Sequence, residues 1–196
     1  NTFTGTAFNL QNAGRVDVQG IEAEIWWNPT DTINLFLVYT GTDGTFGDFE
    51  KGNCQISNIF HTGDPAEAAQ YATKGFCDRS GDRVGGVADD HFSLNATKTF
   101  DFGNGNELQI GAEYVSYSDM IMHNNNDPFS LQEGREFLNL RAIARFNNGF
   151  EAMLWGRNVS DEKWYGTVFD APLQDGKLGA YPREPRTYGL TLRKVF

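Results

Sequence analysis

Hydrophobic and polar residues alternate in short runs along most of this chain. Ile21, Ala23, Ile25 and Trp27 fall on one parity, Glu22, Glu24 and Trp26 on the other. Strands place successive side chains on opposite faces, so a period of two predicts a strand with one apolar face. The same alternation recurs over Ile33–Tyr39, Phe92–Phe100, Leu108–Ser116, Glu136–Phe146, Phe150–Val159 and Arg186–Phe196. A further strand over Phe3–Asn9 brings the expectation to about eight. Within Phe150–Val159, Met153 and Trp155 share a parity with Glu151 and Arg157, and that parity is expected to face inward. Between Val16/Val18 and Ile21 the apolar parity changes, which predicts a bulge at Gly20.

The connections alternate between short and long. Asn28-Pro29-Thr30-Asp31, Phe102-Gly103-Asn104-Gly105-Asn106 and Asn147-Asn148-Gly149 are tight-turn chemistry. Residues 47–89, 119–132 and 160–185 are long excursions. A soluble β-sandwich also alternates, but loops of that length all on one side are uncommon in compact domains. Short turns on one side and long loops on the other are the asymmetry of an outer-membrane β-barrel, with short periplasmic turns and long extracellular loops. The predicted fold is therefore all-β, an antiparallel transmembrane β-barrel segment. Trp26, Trp27, Phe100, Phe102, Phe146, Phe150 and Phe196 cluster toward the short-turn side, where an aromatic belt is expected.

Composition narrows the partners. Aromatics reach 14% although hydrophobic residues are only 39%, and mean hydropathy is −0.48. No apolar run approaches the ~18 residues of a membrane helix. A net charge of −10 argues against nucleic acid, leaving lipid, a small ligand or protein. The chain starts at Asn1 without an initiator Met or signal peptide, and it is expected to be a piece of something longer.

Cys54 and Cys77 lie in one long loop, and a disulfide between them is expected in an oxidising compartment. His61, His91 and His123 are scattered, and Asp43-Gly44 with Asp48 offers only part of a calcium-loop spacing. No nucleophile has a base at suitable spacing, so neither an enzyme nor a cofactor or metal is predicted. Ligand contacts are expected from aromatic and basic loop residues: Phe60, Tyr71, Phe76, Arg79, Arg135, Trp164, Tyr165 and Phe169. Such side chains give large contact area or grip anions.

Three strings resemble one family. Asn12-Ala13-Gly14-Arg15 with Gly20-Ile21-Glu22-Ala23-Glu24 and Trp27-Asn28-Pro29-Thr30-Asp31 is similar to the late barrel of TonB-dependent outer-membrane receptors. Arg157-Asn158-Val159-Ser160-Asp161 through Tyr165 resembles that family's "N-L-T-D-x-x-Y" signature, and Pro185 to Phe196 resembles its closing strand. Asn158 and Asp161 can bond local backbone where a strand leaves the sheet. The resemblance implies a barrel of about 22 strands around a plug, importing a scarce nutrient with energy passed through TonB. An iron-siderophore is the first expectation, an oligosaccharide or another chelate the second. Residues 1–196 would be the C-terminal part of that barrel, without the plug. It further implies partners in lipid, TonB, the remaining barrel and plug, and the outer-membrane assembly machinery, which would read Tyr188, Leu190, Leu192 and Phe196. The alternative is a self-contained eight-stranded barrel with a structural or adhesive role.

Overall fold

A computed structural model describes residues 2–3, 8–9, 14–55, 64–171, 174 and 177–195. Seven antiparallel strands form its main sheet: β3 (Arg15–Thr30), β4 (Ile33–Asp48), β5 (Asp90–Gly103), β6 (Asn106–Tyr117), β9 (Arg135–Arg145), β10 (Phe150–Arg157) and β13 (Thr187–Lys194). The sheet order is β13-β10-β9-β6-β5-β4-β3, so strands adjacent in this list are also neighbours in sequence among the main-sheet strands. All seven were expected from the alternation. Of the eighth, expected over Phe3–Asn9, residues 4–7 lie outside the described residues; the flanking β1 (Thr2–Phe3) and β2 (Phe8–Asn9) pair with each other, and neither joins this sheet among the described residues.

Register carries one face across the whole sheet. Ile25 opposes Leu37, Leu37 opposes Leu94, Leu94 opposes Tyr114, and Tyr114 opposes Leu138. Lower down, Ile110 opposes Ala142, Ala142 opposes Leu154, and Leu154 opposes Leu190. This apolar face is open: Ile25, Leu154 and Leu190 are 55%, 61% and 65% exposed. An apolar surface of this extent would be driven to associate in water and is at home in lipid. Lys98 stands on the same face near the short-turn end, but its ammonium reaches Thr32 Oγ1 in the β3–β4 turn, 2.6 Å away, and lies over the Phe100 ring. A long aliphatic stem with its charge carried to the rim is the expected accommodation.

The opposite face is polar and internally paired. Asn139 donates to Glu113 Oε2 at 2.8 Å, and Arg145 bridges Glu107 and Glu151. Glu151 opposes Arg193 across the ladder and Arg157 lies over Trp155, so the predicted inward charges share one face. Trp26 belongs here too, stacked on Phe36 with centroids 3.8 Å apart. It is therefore not part of the aromatic belt, which keeps Trp27, Phe100, Phe102, Phe146 and Phe150 among the described residues. Phe196 lies outside the described residues.

No bulge occurs at Gly20. Gln19–Asp43, Gly20–Thr42 and Ile21–Gly41 pair without interruption, and the register shifts instead between Arg15 and Val16. Glycine is required at position 20 because a Cβ there would strike the Gly41 carbonyl oxygen. At 16 residues each, β3 and β4 reach roughly 50 Å, well beyond the 9–11 residues a tilted strand needs to cross a bilayer. The surplus rises on the long-loop side.

The long connections carry structure of their own. Within residues 49–89, α1 (Pro65–Lys74) begins at Asp64, whose carboxylate accepts from Ala66 N, and ends at Gly75 with φ +76°. The next connection contains the small hairpin β7 (Met120–Ile121) with β8 (Leu131–Gln132), and the last contains β11 (Tyr165–Asp170) with β12 (Leu178–Pro182).

Candidate functional site

The long loops gather over the end of the sheet where β9 begins. The first of them is pinned by the expected disulfide, Cys54–Cys77, and by paired backbone bonds between Gly52 and Cys77. Replacing both cysteines with serine is expected to cost this loop roughly 3 kcal/mol. Limited proteolysis of the assembled protein would read this as faster cleavage between β4 and β5, with the strands of the main sheet still protected.

Arg79 is buried at the centre of the same loop, 1% exposed. Its guanidinium meets Glu67 of α1, Asp82 Oδ2 at 3.0 Å and the Asn125 carbonyl at 2.8 Å. Burial pushes the Asp82 carboxyl up, and Arg79 pulls it back. Asn125 and Asn126 return bonds to the Cys54 and Arg83 carbonyls, and Gly85 N donates to Asn124 Oδ1. The polar tip His123-Asn124-Asn125-Asn126-Asp127 is thus the clasp between two loops. Arg79, expected as a ligand contact, is spent inside that clasp.

The second and third loops meet through Tyr165 N, which donates to Gln132 Oε1 at 2.8 Å, and through His123 Nε2 and Asp170 Oδ2, 3.7 Å apart. Burial pushes the Asp170 carboxyl up, while His123 acts in the opposite direction. Asn158 fixes where the third loop leaves β10. It has φ +48°, accepts from Glu162 N at 2.9 Å, and donates to the Glu162 and Glu184 carbonyls. Asp161, also at positive φ, accepts from Arg186 N. The expected local backbone bonds are therefore present. Asn158→Ala should cost about 1 kcal/mol, since part-buried backbone groups of Glu162 and Glu184 lose a partner. A lower midpoint for unfolding of the assembled protein checks this.

Of the expected contact residues, Arg135, Trp164 and Tyr165 come together. Arg135 starts β9 with its guanidinium over the Tyr117 ring, 4.3 Å from the centroid, and His91 stacks on the other side of that row at 4.4 Å. Trp164 stacks on Phe137 at 4.9 Å, two residues along β9 from Arg135, and Tyr165 is exposed beside it. Phe169 packs on Tyr181 in the third-loop hairpin. Tyr71 is exposed on α1, and Phe76 lies under Lys51, both on the separate first loop. Phe60 and His61 lie outside the described residues. His91, Tyr117 and Phe137 were missed as site residues because they lie within strands, and only the cross-strand register brings them beside Arg135. Deeper on the polar face is a groove of about 400 Å³ that includes Glu113, Asn139, Arg141, Trp155 and Arg157 in its lining. These groups can bind polar or anionic ligands, and they form no nucleophile–base pair.

Residues 1–159 match the family described as "TonB dependent receptor-like, beta-barrel". No curated protein sequence matches the chain. Among solved structures, the ferric yersiniabactin uptake receptor FyuA from Yersinia pestis superposes with a TM-score of 0.71 at 15% identity, over 94% of this chain and 24% of that one. The siderophore receptor PiuA from Acinetobacter baumannii gives 0.66 at 18% identity, over 90% and 21%. The ferripyoverdine receptor of the outer membrane of Pseudomonas aeruginosa, bound to ferripyoverdine, gives 0.59 at 18%, over 91% and 19%. The chain spans about a quarter or less of the length of these proteins.

Proposed function

The chain belongs to the TonB-dependent receptor-like β-barrel family, and from that premise we propose that it is the C-terminal part of an outer-membrane transporter. Its cargo is a scarce nutrient, an iron-siderophore before an oligosaccharide or another chelate, and its energy comes through TonB. The observation that carries the reading is the division of one continuous sheet into an open apolar face and a charged, internally bonded face, with folded loops at one end only. A receptor needs all three: a lipid surface, a wet interior and an external site.

The open edges support the same reading. Among the described residues β3 and β13 each have a single partner, so this sheet is not the closed eight-stranded barrel of the alternative. Unpaired strand edges cannot stand in hydrocarbon, where backbone groups have no water. Further strands must pair with β3 and β13. The charged face, with the groove at Arg141 and Arg157, is the seat we assign to a plug. Tyr188, Leu190 and Leu192 are exposed on the apolar face of β13, in keeping with a closing strand presented to the assembly machinery. Arg135, Trp164 and Tyr165 are the proposed ligand contacts, with Tyr71 and Phe76 available on the first loop. Arg79 instead holds that loop in shape.

Uptake of radiolabelled iron chelates by iron-starved cells tests the function. Deletion of the gene is expected to abolish uptake of one chelate, and deletion of tonB to do the same. Uptake unaffected by either deletion, across ferric chelates and oligosaccharides, would remove the transporter reading.

A further inference from the structure

Arg135 stands apart from the other buried arginine of this chain. Arg79 is enclosed by Glu67 and Asp82, and half-buried Arg145 is held by Glu107 and Glu151. Arg135 is 8% exposed, yet its Nε and Nη1 make no hydrogen bond among the described residues. The groups that bear on its charge are the Tyr117 ring and another cation, Arg183. His91, stacked on Tyr117, also lies within the field of Arg135. A buried cation without an anion is costly, because the charge has left water and gained only a ring face. Two cations and an imidazole are gathered where the second and third loops meet the polar face, and no carboxylate of the described residues answers them.

We infer that the Arg135–Tyr117–His91 cluster at the rim of the polar face binds an anionic oxygen group of the ligand, so that the cargo is a negatively charged chelate. This rests on the transporter reading and adds the charge of the cargo to it. The Nε and Nη1 protons supply the hydrogen bonds, Arg183 adds long-range attraction, and the flat surfaces of Tyr117 and of Trp164 on Phe137 suit an aromatic ring beside the anion. A carboxylate and a catecholate share this chemistry. A glycan or an uncharged hydroxamate complex does not, and either would leave the guanidinium unanswered.

The test uses the complete receptor with four probes: ferric citrate, a ferric tris-catecholate, an uncharged ferric trihydroxamate and maltohexaose. Binding is followed by titration calorimetry in wild type, Arg135→Gln and Arg135→Lys, and melting is recorded for each. Wild type is expected to bind an anionic complex in preference to both uncharged probes. Arg135→Gln should weaken it about 10- to 100-fold, with Arg135→Lys between the two and wild-type affinity falling as salt rises. Three results would overturn the inference: preference for an uncharged probe, no binding of either anionic complex, or unchanged affinity in Arg135→Gln with a lowered melting temperature. The last would mean that a carboxylate elsewhere in the receptor is the partner. TonB-dependent uptake, measured in parallel, separates the two readings: uptake of an uncharged probe equally by wild type and Arg135→Gln keeps the transporter and removes the anion.

Discussion

Arg79→Ala is expected to open the extracellular loops while leaving the barrel intact. The guanidinium joins α1, the Asp82 turn and the Asn125 carbonyl of the neighbouring loop, beside Gln55, which donates to Glu67 Oε2 and to the Asn126 carbonyl. Removing it leaves Glu67, whose side chain is 13% exposed, without its cation, and Asn125 without a donor to its carbonyl. Breaking a buried ion pair by deleting one partner costs about 3 to 5 kcal/mol. Asp82 is more exposed and will recover some hydration, so the lower end applies. Local opening governs both amide exchange and proteolysis when reclosing is fast. Exchange in α1 and cleavage in residues 49–89 should therefore accelerate about 100-fold or more, at 1.4 kcal/mol per factor of ten. The strand amides should keep wild-type protection. Unchanged exchange in α1 would show that the disulfide alone holds the loop and that the clasp contributes little.

The second large effect concerns the faces of the sheet. Leu154→Arg places a cation on the apolar face between Ala142 and Leu190, and Thr191→Arg places one on the polar face a residue away in the ladder. A basic side chain facing lipid at mid-depth costs about 2 to 4 kcal/mol, falling toward zero near the interfaces. The outward substitution should therefore lower the urea midpoint of the folded receptor and its yield in the outer membrane. The inward one should leave both close to wild type, since that face already carries Arg157, Glu151 and Arg193. Equal losses from the two would mean that both faces are dry.

These expectations rest on features that differed in how far the sequence disclosed them. The seven strands were legible because lipid demands a continuous apolar parity, and a one-residue slip would turn every side chain to the wrong face. Strand extent was less so. The strand was expected over Ile33–Tyr39 and the long excursion from Gly47, yet β4 runs to Asp48 because pairing with β3 continues above the bilayer, where neither face must be apolar. The helix α1 was missed, though its punctuation was present: Asp64 before Pro65, Glu67 in the first turn and Gly75 after the last. Its ten residues bury none of their own, so no apolar periodicity announced it.

The candidate site divided along the same line. Asn158 and Asp161 were readable because their chemistry is local, a side chain bonding backbone a few residues away. Arg79 and Arg135 look alike in sequence, each a lone basic residue beside a loop. Only long-range packing separates them, since one meets Glu67 and the other meets a tyrosine ring and a second cation. Likewise Trp26 and Trp27 are neighbours that face opposite ways, and treating both as belt residues overlooked the parity that the rest of β3 obeys.

The measurement that reaches the central claim most directly is spin-label accessibility along β5 in the complete receptor in lipid. The two cysteines of this chain are paired with each other, and with any free cysteine elsewhere in the receptor replaced by serine a label attaches to a single introduced cysteine at each position from Phe92 to Thr97. Positions 92, 94 and 96 are expected to be reached by molecular oxygen dissolved in the bilayer. Positions 93, 95 and 97 are expected to be reached by a water-soluble nickel chelate, with a period of two throughout. Loss of that period, or the opposite phase, would contradict the assignment of the apolar face to lipid and the polar face to a wet lumen.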